Sequence, residues 1–130
     1  METLKPEIVF ILMKEGKLQK GCAALIREIP MVQVYVFEEW FQVEMEFSHI
    51  KPKLMIIEAA IFNHLENVDI IHLIPEGVQT MILEENPLLI DKWKTAGVNQ
   101  VILVGEPAPV LYSNIVQLLS QDFGNTKNIQ

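Results

Sequence analysis

Apolar positions along this chain follow two alternating rhythms. Ile8-Val9-Phe10-Ile11-Leu12-Met13 and, after Lys51-Pro52-Lys53, Leu54-Met55-Ile56-Ile57 are continuous apolar runs. They lack the alternation of a strand with one wet face, so they predict strands covered on both sides, as in the centre of a parallel sheet. Val32-Gln33-Val34-Tyr35-Val36-Phe37 alternates more, which places it nearer a sheet edge; Val78 to Leu83 and Gln100 to Val104 supply two further strands. Between these runs the spacing widens to three and four residues. Leu18, Cys22, Leu25, Ile26 and Ile29 form one stripe with Lys20, Arg27 and Glu28 opposite, an amphipathic helix that Pro30 ends. A second helix opens at Glu38-Glu39, with acids at the favourable end of its dipole, and runs to about Ile50. Phe62 to Ile74 reads as a polar helical segment. Asn86-Pro87 caps a fourth helix through Ile90, Trp93 and Ala96, closed by Gly97, and Pro109 starts a fifth that turns Leu111, Ile115, Leu118 and Leu119 inward.

Five strands alternating with five helices through short loops predict an α/β fold: one parallel sheet between two helical layers, with right-handed crossovers. Strand order 2-1-3-4-5, the flavodoxin-like arrangement, is the natural choice. Chemistry in such sheets gathers outside the carboxyl ends of the strands, at the switch between the first and third. Lys14 and Glu15 then lie beside Glu58, with Glu84 from the fourth strand close by and Val104 at the end of the fifth.

Length and composition narrow the reading. A chain of 130 residues, half of them hydrophobic, makes one domain with an ordinary core. A net charge of −7 argues against direct nucleic-acid binding, which depends on Lys and Arg meeting phosphates. The single cysteine, Cys22, excludes an internal disulfide and fits a reducing, cytoplasmic compartment. No apolar run approaches the roughly 18 residues that span a bilayer, and Met1 to Glu7 lack the pattern of a signal peptide, so no membrane role is expected. Residues 121–130 are polar and predict a tail or linker after a domain of residues 1–120.

Two stretches resemble the receiver domains of two-component response regulators, most closely the LuxR- and NarL-like subgroup. Lys51-Pro52-Lys53-Leu54-Met55-Ile56-Ile57-Glu58 resembles the family's Lys-Pro-Asp, four apolar residues and the phosphoacceptor aspartate. Ala96-Gly97-Val98-Asn99-Gln100-Val101-Ile102-Leu103-Val104-Gly105 is similar to its Ala-Gly-Ala stretch leading through the fifth strand to a lysine and glycine. The resemblance covers nearly the whole chain. It implies a magnesium-holding acidic pair after the first strand, an aspartate acceptor, a hydroxyl after the fourth strand and a lysine after the fifth. Here those places hold Lys14 and Glu15, Glu58, Glu84 or Leu83, and Val104. A glutamate carries its carboxylate one methylene farther out, about 1.5 Å, which spoils an in-line attack of demanding geometry. The expectation is a pseudo-receiver that does not take phosphate in the usual way, is not an enzyme, and needs neither metal nor cofactor.

Two arrangements of the degenerate pocket are open. In one, the Lys14 ammonium replaces the metal and joins Glu58 and Glu84 in a permanent ion-pair cluster. In the other, these side chains point into solvent at loop ends. A reading from another class is a flavodoxin-like small-molecule binder using the carboxyl-end pocket; a third is an unusual phosphoacceptor using Glu58.

Other chemistry is thin. His49, His64 and His72 lack metal-site spacing, Cys22 lies on an apolar stripe, and Gly16 has no companion glycines at phosphate-binding spacing. The surface says more. Leu88 and Leu89 lie off the core-facing side of the fourth helix, Tyr112 and Val116 off that of the fifth, and Phe41 and Met45 are added by the second. In receivers the face made by the fourth helix, fifth strand and fifth helix is the usual dimer surface. The resemblance therefore implies a homodimer there, in a phosphorylation-independent interaction module of signal transduction or transcription regulation, with an output domain or partner protein receiving the signal.

Overall fold

A computed structural model describes residues 5–62 and 71–121. Five parallel strands, β1 (Glu7–Leu12), β2 (Val32–Phe37), β3 (Leu54–Glu58), β4 (Gln79–Glu84) and β5 (Gln100–Leu103), form one sheet in the order β2-β1-β3-β4-β5. The central strands are apolar because both faces are covered: Leu54 to Ile57 are fully buried, and all six residues of β4 are buried. β2 alternates because it is an edge.

Side chains leave a strand on alternate faces, so each strand feeds two cores. On one face Val9, Ile11, Leu54, Ile56, Met81 and Leu83 pack under α1 (Lys17–Arg27) and α4 (Ala108–Ser120), which supply Cys22, Ile26, Ile115 and Leu118. On the other, Phe10, Leu12, Met55, Ile57 and Ile82 pack under α2 (Trp40–Phe47) and α3 (Ile90–Thr95), through Val43 and Trp93. The aromatic rings of Phe10, Phe37, Phe47, Trp40, Phe62 and Trp93 join that second core, mostly edge to face or tilted, with Phe10 and Phe47 stacked.

Local chemistry shifts several boundaries. Met13 lies beyond β1, and β5 stops at Leu103 rather than Val104. Glu38 and Glu39 precede α2 instead of opening it: Glu39 is the N-cap, and Gln42 Oε1 accepts from the amides of both glutamates at 3.1 Å. Asn86 does cap as its type suggests, its Oδ1 accepting from Leu88 N at 3.0 Å, but Pro87–Leu89 form a single 3₁₀ turn before α3 begins. Of the helix expected over Phe62 to Ile74, residues 63–70 lie outside the described residues. Its ends are a 3₁₀ turn at Ala59–Ile61 closing on Phe62, and a turn in which Ile74 N bonds Ile71 O at 3.2 Å.

Candidate functional site

The parallel register carries the sequence-derived site residues to one end of the sheet. Leu12 pairs with Ile57, Glu58 with Leu83, and Glu84 with Leu103, so the chain leaves β1, β3, β4 and β5 on the same side. Glu58 is half-buried at the end of β3. Its Oε1 accepts from the backbone amide of Lys14 at 2.9 Å. Lys14 and Glu15 are exposed.

Glu84 behaves differently. It is 5% exposed, and its carboxylate is taken up on the α3 side: Oε1 accepts from Trp93 Nε1 at 2.7 Å and Oε2 from Asn86 N at 2.9 Å. Its backbone carbonyl also accepts from Val104 N at 2.9 Å, and the Val104 side chain stands 37% exposed where the resemblance would put a lysine. A buried carboxylate is costly without donors, and here two neutral donors meet it.

The expected ion-pair cluster of Lys14, Glu58 and Glu84 does not form among the described residues. Their one ion pair joins Lys53 Nζ to Glu7 Oε2 at 3.5 Å, at the other end of the sheet. The Lys14 amide reaches Glu58 before its ammonium needs to, and an exposed ammonium gains little by leaving water. Nor does Glu84 point into solvent as the alternative arrangement requires.

The magnesium that the resemblance brings to such a site does not fit these donors. Both oxygens of Glu84 are bonded within the β4–α3 connection, one oxygen of Glu58 accepts from the Lys14 amide, and an exposed lysine stands where the resemblance would put an acid. No group of three His, Cys, Asp or Glu suited to a metal occurs among the described residues.

Comparison with solved structures gives one architecture. A LuxR family DNA-binding response regulator from Silicibacter pomeroyi superposes with a TM-score of 0.75 at 15% identity, over 87% of this chain and 91% of that one. A response regulator from Thermotoga maritima gives 0.73 at 16%, over 91% and 100%. The response regulator domain of Thermotoga maritima CheB gives 0.71 at 15%, over 91% and 99%. The chain has a response-regulator receiver fold. No family model and no curated protein matches the sequence.

Within this receiver fold, several polar residues that tie its elements together escaped sequence reasoning. Gln19 is buried on the stripe of α1, where its Nε2 donates to Met13 O at 3.0 Å and fixes the turn leading to Lys14. Asn99, in the bend before β5, reaches back to β4: its Oδ1 accepts from Thr80 N at 2.8 Å. Gln79 is fully buried and donates to Leu118 O at 2.6 Å, while its own Oε1 has no protein partner. A polar residue inside an apolar run was the available signal for Gln79. The indole bond of Glu84 had none, since nothing local links residues nine apart.

Of the residues named for an interface, Leu88 is 86% and Val116 37% exposed. Tyr112 is half-buried, and Leu89 is not spare: it packs against the core beneath α3. A cleft of about 280 Å³ lined by Ile71, Ile74, Pro75, Val78, Thr80 and Gly97 opens at the amino ends of the strands, opposite the end expected for a ligand. Burial pushes the Cys22 thiol up to about 12, so it packs as a small hydrophobe. No helix among the described residues is long and apolar enough to cross a membrane.

Proposed function

We propose that this domain is an atypical receiver: a phosphorylation-independent interaction and dimerisation module of signal transduction or transcription regulation. The observation that carries this reading is the disposition of the acids. Glu58 accepts from the Lys14 amide and Glu84 is turned under Trp93, and among the described residues no group of three acids or histidines gathers to hold the cation that phosphoryl transfer uses. With the site closed, the remaining surface is what such a domain offers a partner. Leu88, Val104 and Val116 contribute exposed apolar area along α3, β5 and α4, which favours a homodimer on that face. That a LuxR family DNA-binding regulator shares the fold supports transcription control as the setting.

The test is titration of the ¹⁵N-labelled chain with magnesium and acetyl phosphate. The expected outcome is no specific shift at Lys14, Glu58 or Val104 and no phosphoryl adduct in the intact mass. A magnesium-dependent adduct that vanishes in Glu58→Gln would sink the proposal. Dimerisation is checked separately by sedimentation, where Val116→Glu shifts the chain toward monomer.

A further inference from the structure

We infer that the outer face of α2 is a docking surface for a basic amphipathic helix of a partner protein. Val43 is fully buried beneath α2, and Trp40 and Phe47 pack against the same core, so the inward side of this helix is complete. Phe41 and Met45 nevertheless stand 54% and 67% exposed. Four residues apart, they are neighbours on one face, on successive turns, and form a short apolar ridge.

The charge around that ridge is one-sided. From Glu28 to Ile50 the chain holds five glutamates and not one of its ten lysines and arginines. Glu38, Glu39 and Glu44 are exposed, at the start of α2 and beside the ridge. The two amides leading into α2 are served within the chain, because Gln42 accepts from Glu38 N and Glu39 N. Among the described residues, the outer face of α2 thus presents exposed apolar area with glutamates beside it. A helix carrying apolar side chains at three- and four-residue spacing, flanked by Lys or Arg, meets both features at once. The apolar pair supplies affinity; the glutamates set approach and select against acidic partners. Anionic membranes and nucleic acid are repelled by the same charges, and this face is separate from the one along α3, β5 and α4.

The probe is a synthetic amphipathic peptide of lysine, leucine and alanine, titrated into the ¹⁵N-labelled full chain. Shifts confined to residues around Phe41, Glu44 and Met45 are expected, with no binding of the same peptide carrying glutamate in place of lysine. The double variant Phe41→Ser/Met45→Ser should keep its melting curve and far-UV circular dichroism, since both side chains are exposed, and bind at least about tenfold more weakly. Shifts spread over every acidic residue, unchanged affinity in the double variant, or no binding at all would overturn the inference. So would loss of self-association in the double variant, which assigns the ridge to a second copy, or its loss of binding to phosphatidylcholine vesicles, which assigns it to a bilayer.

Discussion

The indole N–H of Trp93 donates to Glu84 Oε1 at 2.7 Å, joining the last residue of β4 to the middle of α3 inside the core. Asn86 N fills the other carboxylate oxygen at 2.9 Å, so the turn between strand and helix is wrapped around one buried acid. Such a bond ties the position of α3 to the end of the sheet. Each oxygen of the acid has a donor from the connection or from α3, which anchors α3 and the exposed Leu88 beside it.

Removing the acid leaves two donors facing a void. Glu84→Ala is expected to destabilise the chain by about 2–4 kcal/mol, with red-shifted Trp93 emission, in urea unfolding followed by fluorescence. Trp93→Phe keeps most of the ring but strands a buried carboxylate with one donor, at a cost of about 1.5–3 kcal/mol. Stability unchanged in both variants would show that the bond does not hold α3.

Lys14 and Glu58 give a contrast between side chain and backbone. Because the amide makes the 2.9 Å bond, Lys14→Ala should leave stability within about 0.5 kcal/mol of the parent. Glu58→Leu removes the acceptor and should move the Lys14 amide proton upfield in the ¹H–¹⁵N spectrum, with a loss of about 0.5–1.5 kcal/mol. A large effect of Lys14→Ala would restore the ion-pair cluster.

Cys22 supplies the pH dependence. Its folded thiol is raised by burial from 9.0 to about 12, so the unfolded chain loses this proton first as pH rises. The folded state binds more protons in that window, and its stability therefore falls as pH climbs from about 9 toward 12 while being unaffected by this group below it. Thermal melts across that range check the direction, and Cys22→Ala should flatten the slope. In the folded chain at pH 8 the thiol should react with Ellman's reagent only at the rate of unfolding.

Gln79 tests how far a buried amide is worth its place. Its Nε2 bond to Leu118 O, 2.6 Å long, holds the end of α4 against β4, but its Oε1 is buried without a protein partner. Gln79→Met loses the bond and the unsatisfied oxygen together, and should change stability by less than about 1 kcal/mol. Gln79→Ala adds a cavity and should cost about 2 kcal/mol more than the methionine. Both are read in urea titrations.

The alternation of buried runs and amphipathic stripes was legible for the five strands and the helices of the described residues, because burial on two faces or one leaves a periodic trace in the residues themselves. Strand order and parallel pairing followed from that pattern, and the stretch ending at Glu58 put that residue at the carboxyl end of the third strand. Caps such as Asn86 were readable as well, since a cap is settled within three residues. What the site's side chains do was another matter. Glu84 was expected either to join Lys14 and Glu58 or to point into solvent, yet it turns to Trp93; Leu89 was read as spare, yet it packs inward; and Asn99, in the bend before β5, accepts from Thr80 of β4. Each depends on contacts between elements that packing alone brings together. Periodicity tells which face of a residue's own element meets the core, whereas the bond a polar group makes there is chosen by whichever donor the folded neighbour delivers.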